Sequence, residues 1–532
     1  MGILGRPPSL GVSAEAAKDA PAVLSKKATG RWVLAATILG ASMAYIDGTA
    51  VNVALPALQD RLGATITEVQ WVIEAYTLFL VALILTGGVL GDRFGRRLVY
   101  GIGAALFMIS SVLCGLAVNV DQLIAFRALQ GIGGAMLIPG SLAIITAYFG
   151  PSERGKAIGT WSAFSAITTA VGPVLGGWLI ENASWRWIFL INLPIALAVI
   201  VILFLRVPES RGDTAKCKFD YWGTALATAG LGGLIFGLIE SSNLGLGHPL
   251  VTASILLGAS ALIAFVIVEG ASESPMVPLS LFRSGTFSAA NAVTLFMYGA
   301  LGGTFFFLPF ALIQVYGYTA TGAGAAFLPI IVILFVFSRW AGGLVDRYGA
   351  RMPLAAGTFI GGAGYLLIAL LQGDGSYFTT FLPGVAVLGA GLALSVAPLT
   401  TAVMNAVRVS FSGTASGINN AVSRVAGLVA IAVLGVVILH AFNGHLDHGM
   451  DSLGVHQEVK ELLDGERIKL AGAEIPAEVG LEMKAALEGL VRESYVKGFS
   501  LILYTSAALS FLCTFIALAA MRRREEAEHP SS

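Results

Sequence analysis

The chain has 532 residues, 56% of them hydrophobic and only 12% charged, with 32 Lys and Arg balancing 32 Asp and Glu, and a mean hydropathy of +0.81. This excludes an ordinary soluble domain, in which about a quarter of residues are charged. It also excludes a membrane β-barrel, whose strands read as alternating segments of about 10 residues, because the apolar runs here are continuous.

The first thirty residues are polar, rich in Ala, Pro and Ser, and end in Lys26, Lys27 and Arg31. They read as a cytoplasmic tail rather than a cleavable signal, and "ILGR" after Gly2 lacks the Ser or Thr of a myristoylation site. A helix needs about 20 mostly apolar residues to cross the hydrocarbon. Fourteen such windows begin near Trp32, Val69, Leu98, Gln122, Ala157, Trp187, Tyr221, Leu250, Thr286, Thr319, Pro353, Phe378, Ala415 and Phe499. The fold class expected is an all-α polytopic membrane protein. Cys114, Cys217 and Cys513 are too scattered for a disulfide framework or a metal spacing. With both ends inside, 21 Lys and Arg fall on the cytoplasmic side and 8 outside, six of the 8 in one long outer segment. Positive charge collects on the cytoplasmic side, and long loops obey that rule poorly.

After the second window, "GGVLGDRFGRR" from Gly87 is echoed after the tenth by "GGLVDRYGAR" from Gly342. The repeat predicts two six-helix halves separated by two inserted helices. The expected layout is a tail (1–31), a first bundle (32–206), the inserted pair with its flanking loops (207–270), a second bundle (271–521) that includes an outer loop (441–498), and a tail (522–532). Internal repeats mark secondary transporters, whose two halves rock about a central site. In the charged loop, Gly88, Gly91 and Gly95 suit close approach and a turn. Asp92 at a helix end can hold Arg residues of neighbouring helices in one state and release them in another, which makes the loop, with Arg93, Arg96 and Arg97, a conformational latch matched by Asp346 and Arg347 in the second copy. The plainer reading is a set of positive-inside anchors, which accounts for the Arg residues but not for the Asp or the repetition.

Charges inside a bilayer are costly and default to functional candidates. Asp47, Glu74 and Arg127 lie at depths of about 13, 9 and 9 Å by helical rise, so they could share one cavity. Arg127 would then neutralise one acid and leave the other to load and release a proton. The alternative is a fixed Asp47–Arg127 bridge that only packs the bundle. Trp71, three residues before Glu74, shares its helix face and suits lipophilic cations, or else anchors the interface. Asn420 and Arg424 continue a polar stripe from Gly417 toward a central cavity. With Gln130, Trp71 and Phe306 they are the candidate lining of a substrate site, although an aromatic run such as Phe305 to Phe307 also suits plain packing.

The segment 441–498 carries 11 acids against 6 Lys and Arg, and its helical periodicity suggests a small ordered cap. His445, Asp447, His448 and His456 are close in sequence, yet without a fixed scaffold they read as solvated rather than metal-binding. No GxxxxGK[ST] loop occurs, so an ion gradient rather than ATP must supply the energy. No cofactor, metal or nucleic acid is expected.

The loop motif resembles that of the major facilitator superfamily. "YIDGTAVNVALP" (45–56), "RALQGIGGA" (127–135), "AVGPVLGGW" (170–178), "WRWIFLINLP" (185–194) and "PMVPLSLFR" (275–283) are similar to stretches of its fourteen-helix drug:proton antiporter family, the QacA/EmrB type. The resemblance implies a 6+2+6 arrangement and an antiporter motif at Gly172, Pro173, Gly176 and Gly177. It also implies a proton-coupled exporter of amphipathic, cationic drugs in a bacterial-type inner membrane, with substrate, protons and lipid as its partners. A dedicated exporter or symporter of one metabolite fits the same fold. A membrane-embedded enzyme would need a catalytic set that is not found, and a non-transporting receptor would not need two matched loops.

Overall fold

The computed structural model describes residues 16–521 apart from 212–219, 273–274, 276, 374–375, 408–411 and 476–478. Cys217 falls among those outside it, and so does the side chain of Asp346. The described residues form helices and loops with no strand, as befits a backbone that must satisfy its own polar groups in hydrocarbon. The long helices in order are α1 (Ala16–Leu62), α2 (Ile66–Phe94), α3 (Arg96–Leu116), α4 (Val120–Tyr148), α5 (Pro151–Asn182), α6 (Asn192–Arg206) and α7 (Tyr221–Leu244). After them come α8 (Pro249–Ala271), α9 (Gly285–Phe310), α10 (Leu328–Tyr348), α11 (Arg351–Leu370), α12 (Leu382–Asn405), α13 (Ser412–Ser452) and α14 (Leu481–Ala520). Among the described residues, 13 helical segments are long and apolar enough to cross a membrane. The chain is therefore a multi-pass membrane protein. The 32-residue α5 is not among those 13, so the count of fourteen expected from sequence stands one above them.

Short polar signals start the helices. Thr65 opens α2 with a capping box, its N–H donating to Glu68 Oε2 at 2.7 Å while the Glu68 N–H donates to Thr65 Oγ1 at 3.2 Å, which satisfies two otherwise orphaned groups. Asn119 Oδ1 accepts from the Gln122 N–H at 2.9 Å to open α4, and Asp220 Oδ1 accepts from the Gly223 N–H at 2.7 Å to open α7. Both copies of the repeat turn on a glycine: Gly95 has φ 118° and Gly349 has φ 72°, conformations that side-chain-bearing residues rarely adopt. The end of the bundle holding these two glycines is the loop end, and the other is the far end.

The inserted pair α7 and α8 lies beside the first bundle. Thr67 Oγ1 meets Asn243 Oδ1 at 3.1 Å, the Trp71 indole meets Glu240 at 3.1 Å and Thr86 Oγ1 meets Thr224 Oγ1 at 3.3 Å. These pairs fix an antiparallel register in which each step along α2 is matched by a step back along α7. One apolar cluster joins α2, α7 and α13 through Leu78, Leu231, Ile235, Leu428 and Ala432, with Trp71 packed against it.

Two boundaries differ from the sequence reading. Helix α1 begins at Ala16, within the stretch read as a tail. Most of 441–498 is the far-end continuation of α13 and α14, joined by a helix at Gln457–Asp464 and a 3₁₀ turn at Arg467–Gly472. Arg467 holds this cap together through Asp447 at 2.5 Å and Asp464 at 2.7 Å.

Candidate functional site

Inside the first bundle, five helices converge on one polar network with no exposed atom. Arg127 of α4 donates through Nη1 to Asp47 of α1 at 2.5 Å and to Gln130 Oε1 at 2.7 Å, and through Nε to the Val72 carbonyl of α2 at 2.9 Å. Gln130 donates to Asp47 Oδ1 at 2.9 Å and to Ser111 Oγ of α3 at 2.8 Å. Asn192, at the start of α6, donates to the same Ser111 at 2.9 Å and to Asp47 Oδ1 at 3.4 Å. The Arg127 guanidinium lies 4.2 Å from the Tyr76 ring centre and 5.8 Å from that of Phe189, within cation–π range. The side chains of Asp47, Arg127, Gln130 and Asn192 are all fully buried. Two opposite charges with this many donors and acceptors offset each other's desolvation. Gln130, read from sequence as cavity lining, instead braces the pair.

Glu74 is the exception. It is fully buried, and neither carboxylate oxygen has a hydrogen-bond partner among the described residues. It lies two residues before Tyr76, about 200° around α2, so it faces away from Arg127. The shared cavity expected for Asp47, Glu74 and Arg127 is therefore not what forms. Glu74 looks toward α7 and α13, between Trp71 and Leu78.

The other expected cavity residues divide. The Trp71 indole N–H is bound to Glu240 and its ring lies 6.0 Å from Phe236, so its aromatic face belongs to the α2–α7 contact. Phe306 is buried against Phe307 at 4.7 Å and Phe310 at 5.9 Å, which makes it core packing and corrects its reading as pocket lining. Asn420 is exposed and donates to the Ser416 carbonyl. Arg424 is half-buried and lies near Tyr45 and Tyr76 of the first bundle, so it faces the other half of the molecule.

At the loop end Asp92 pairs with Arg96 Nε at 2.7 Å, a partner one turn away in the same loop. Arg93 and Arg347 each lie over the ring of the following residue, Phe94 at 5.5 Å and Tyr348 at 5.3 Å. The close helix approach expected of Gly88 and Gly91 is made by Gly87 instead. A side chain there would run into the Ala135 carbonyl of α4, whereas a methyl on Gly88 or Gly91 would meet only ordinary contacts at 3.7 and 3.8 Å. Sequence reasoning missed Glu209. Its carboxylate caps the start of α3 by accepting the N–H groups of Arg97 at 2.9 Å and Leu98 at 3.2 Å, the favourable place for an anion on a helix, and it sits 3.7 Å from Arg97 Nε.

At the far end the two halves touch. Of the four motif residues on α5, Gly172 and Gly176 lie against α1, and Gly177 meets the backbone of Ala320 and Thr321. The Pro173 carbonyl faces Gly324 from the short helix Ala320–Ala325. Gln59 Nε2 donates to the Lys469 carbonyl at 3.0 Å and its Oε1 accepts from Gln314 at 2.9 Å. Exposed at the last turn of α5, Glu181 accepts from the Thr321 N–H at 2.8 Å and the Thr321 hydroxyl at 2.5 Å. Desolvation pushes the Glu181 carboxyl up, but the hydrogen bonds from Thr321, Thr319 and Ala320 outweigh it and hold the carboxyl below the usual range. A group lowered in this way stabilises the clasp above its ordinary titration range and loses it as pH falls through the lowered value. Acidification on the far side should therefore loosen this contact, and Glu181→Gln should make the far-end separation insensitive to pH, read by spin-label distances across the two halves.

Among the described residues no group of three or more His, Cys, Asp and Glu is placed to hold a metal. Asp447 is turned to Arg467, and His445 Nε2 lies 3.4 Å from Glu493.

Residues 37–431 match the family model described as Major Facilitator Superfamily. The chain is 35% identical over 406 residues to the multidrug resistance protein Stp of Mycobacterium tuberculosis, covering 76% of this chain and 75% of that protein. It is 30% identical over 494 residues to the tetracenomycin C resistance and export protein of Streptomyces glaucescens, covering 91% and 90%. Among solved structures, a bacterial homologue of the human lysosomal transporter Spinster superposes with a TM-score of 0.62 at 19% identity, over 93% of this chain and 99% of that one. That likeness speaks for the fold alone. With its helical bundle, its repeated loop and this match across most of its length, the chain is a transporter rather than an enzyme and belongs to the Major Facilitator Superfamily.

Proposed function

We propose that this transporter exports amphipathic small molecules, drugs and antibiotics among them, in exchange for protons. It would do so by alternating access in a bacterial-type inner membrane, with both termini cytoplasmic. The observation that supports this best is the contrast between two buried acids: Asp47 is neutralised by Arg127, whereas Glu74 is equally buried with no partner among the described residues. An unpaired charge in such surroundings costs several kcal/mol or more. Glu74 therefore tolerates burial as the neutral acid and gives up its proton when a conformational change admits water or a cation. Coupling of this kind needs one acid that titrates and a fixed pair that keeps the helices in register. The resistance and export names of the relatives support a drug-like substrate.

With the positive side inside, the far end faces out, and the contacts between the two halves there close the path between them on that side. Asp92 and Asp346, with Arg93, Arg96, Arg97 and Arg347, are then the latch of the cytoplasmic end, poised to close when the far end opens. Arg424, facing the first bundle, and the exposed Asn420 one turn away on α13 are the part of the expected lining that suits a central substrate cavity. A second reading, export of one metabolite, is favoured by relatives named for single antibiotics such as tetracenomycin C and lincomycin. The range of compounds carried by proteoliposomes separates the two.

The test is dye and drug transport in proteoliposomes under an imposed pH gradient. Wild-type transport should respond to the gradient. Glu74→Gln, a permanent mimic of the protonated acid, should bind an uncharged substrate as before, lose the gradient dependence and be unchanged or slightly more stable. Substrate-induced proton release in weakly buffered detergent should fall with it. Unchanged release would assign coupling to Asp47 alone.

A further inference from the structure

If Glu74 carries a proton, the proton must reach it, and the far end contains a route. A cavity of about 860 Å³ opens there between the first turns of α2 and α4, the last turns of α7, the middle of α13 and the cap. Its wall holds four acids, Glu68, Asp121, Glu240 and Asp464, against one cation, Arg467, which is already committed to Asp447 and Asp464. A cavity lined by one sign of charge raises the local concentration of the opposite ion. Trp71 forms part of the same wall, with its indole N–H held by Glu240 Oε1 at 3.1 Å, and Asn243 holds the other oxygen of Glu240 at 3.2 Å.

Glu74 lies one turn deeper on the same face of α2. The contacts Thr67–Asn243, Trp71–Glu240 and Leu78 beside Gly232 mark that face as the one turned to α7, and the antiparallel register brings Glu74 level with Phe236. It is fully buried, with both oxygens unpartnered among the described residues. The charged groups around the path are Glu68 from α2, Glu240 from α7, Asp121 from α4, and Asp464 and Arg467 from the cap. Helix α13 offers the neutral Leu439 and Asn443 at the cavity, with Arg424 further in, and Arg127 of α4 lies on the opposite face of α2.

We infer that this cavity is the proton-entry vestibule and that the inserted helix α7 supplies, in Glu240, the carboxylate that relays protons past Trp71 to Glu74. The inference rests on the proton-coupled reading above. A hydronium ion in the vestibule gives its proton to the Glu240 carboxylate. Neutral Glu240 is a weaker acceptor for the indole N–H, so Trp71 is released. The indole is a donor only and cannot carry the proton itself, so it must swing aside before the proton passes to the Glu74 carboxylate. Glu240 then returns to its charged form and takes Trp71 back. The inserted helices thereby acquire a task in coupling, on the side of α2 away from the Asp47–Arg127 network.

The experiment is an acid pH jump, from an alkaline starting pH at which the band is absent, applied to the purified full-length protein in detergent, with the infrared carbonyl band of the protonated buried acid followed in time. The band is assigned to Glu74 by its absence in Glu74→Gln. In Glu240→Gln it should reach the wild-type amplitude about a hundredfold more slowly, the low end of what a positioned proton-transfer group contributes. In Trp71→Ala it should rise faster than in wild type. An unchanged rate in Glu240→Gln, or no effect of Trp71→Ala, overturns the route. If gradient-driven transport persists at wild-type rate in proteoliposomes of Glu240→Gln, the route again fails while the exporter reading stands. Wild-type transport that ignores the gradient would instead sink the proton-coupled reading itself.

Discussion

Asp47→Asn abolishes transport and lowers stability by about 3 to 5 kcal/mol, the cost of breaking a buried pair from one side. The substituted amide can still meet Gln130 and Asn192, so few hydrogen bonds are lost. What remains is the Arg127 charge, fully buried, with Nη2 already lacking a hydrogen-bond partner among the described residues and now with no anion to balance it. The double substitution Asp47→Asn with Arg127→Gln removes both charges, and replacing a buried pair outright is often close to neutral. It should recover most of the lost stability and none of the transport. The four proteins form a double-mutant cycle, measured by thermal unfolding in detergent. Purely additive losses would mean that the pair contributes only packing. Full transport in the double variant would show that the charged pair is not needed to keep the helices in register for transport.

The contrast between Asp47 and Glu74 also marks where the sequence stopped being informative. Counting residues from helix ends gives height along the axis, and it brought Asp47 and Arg127 to one level, where they do pair. It says nothing of direction around the axis, which is set by neighbours on other helices. Glu74 and Tyr76 differ by about 200° in direction and only about 3 Å in height, so depth alone could not separate an acid facing α7 from a ring facing Arg127. Ser111 and Asn192 could have been found by the same counting, since each is a polar residue inside an apolar run. Glu209 could not, because its partners lie 112 and 111 residues away in the chain and an exposed Glu after a helix carries no local signal. The repeat was legible because a backbone constraint wrote it: both copies keep a glycine at the turn, at 95 and 349, where φ is positive.

Gly177→Ala should open the far end. The hydrogen left by glycine lets α5 and the Ala320–Ala325 helix meet backbone to backbone, and a methyl there would fall within 3 Å of Thr321 Cα. Neither side can yield by turning a rotamer, because the obstacles are the main chain of Ala320 and Thr321. Overpacking of this kind costs typically about 1 to 3 kcal/mol. That cost is confined to the state in which the halves touch, since the two helices part when the far end opens. A penalty on one state only shifts the balance between states, here by about 5- to 150-fold toward the far-end-open form. Gly324→Ala, whose methyl would meet the Pro173 carbonyl and the Val174 nitrogen, should act in the same direction from the opposite half. Spin labels on cysteines placed at the exposed Ala183 and Ser376 report the separation. The expected result is a longer distance in either variant, with slow export, because the closed state on which each cycle depends is seldom formed. Thermal stability should change little, as the open form lacks the clash. A wild-type distance distribution with lowered stability would show that the far-end contact persists under strain, and that these glycines hold the fold together rather than set the balance between the two conformers.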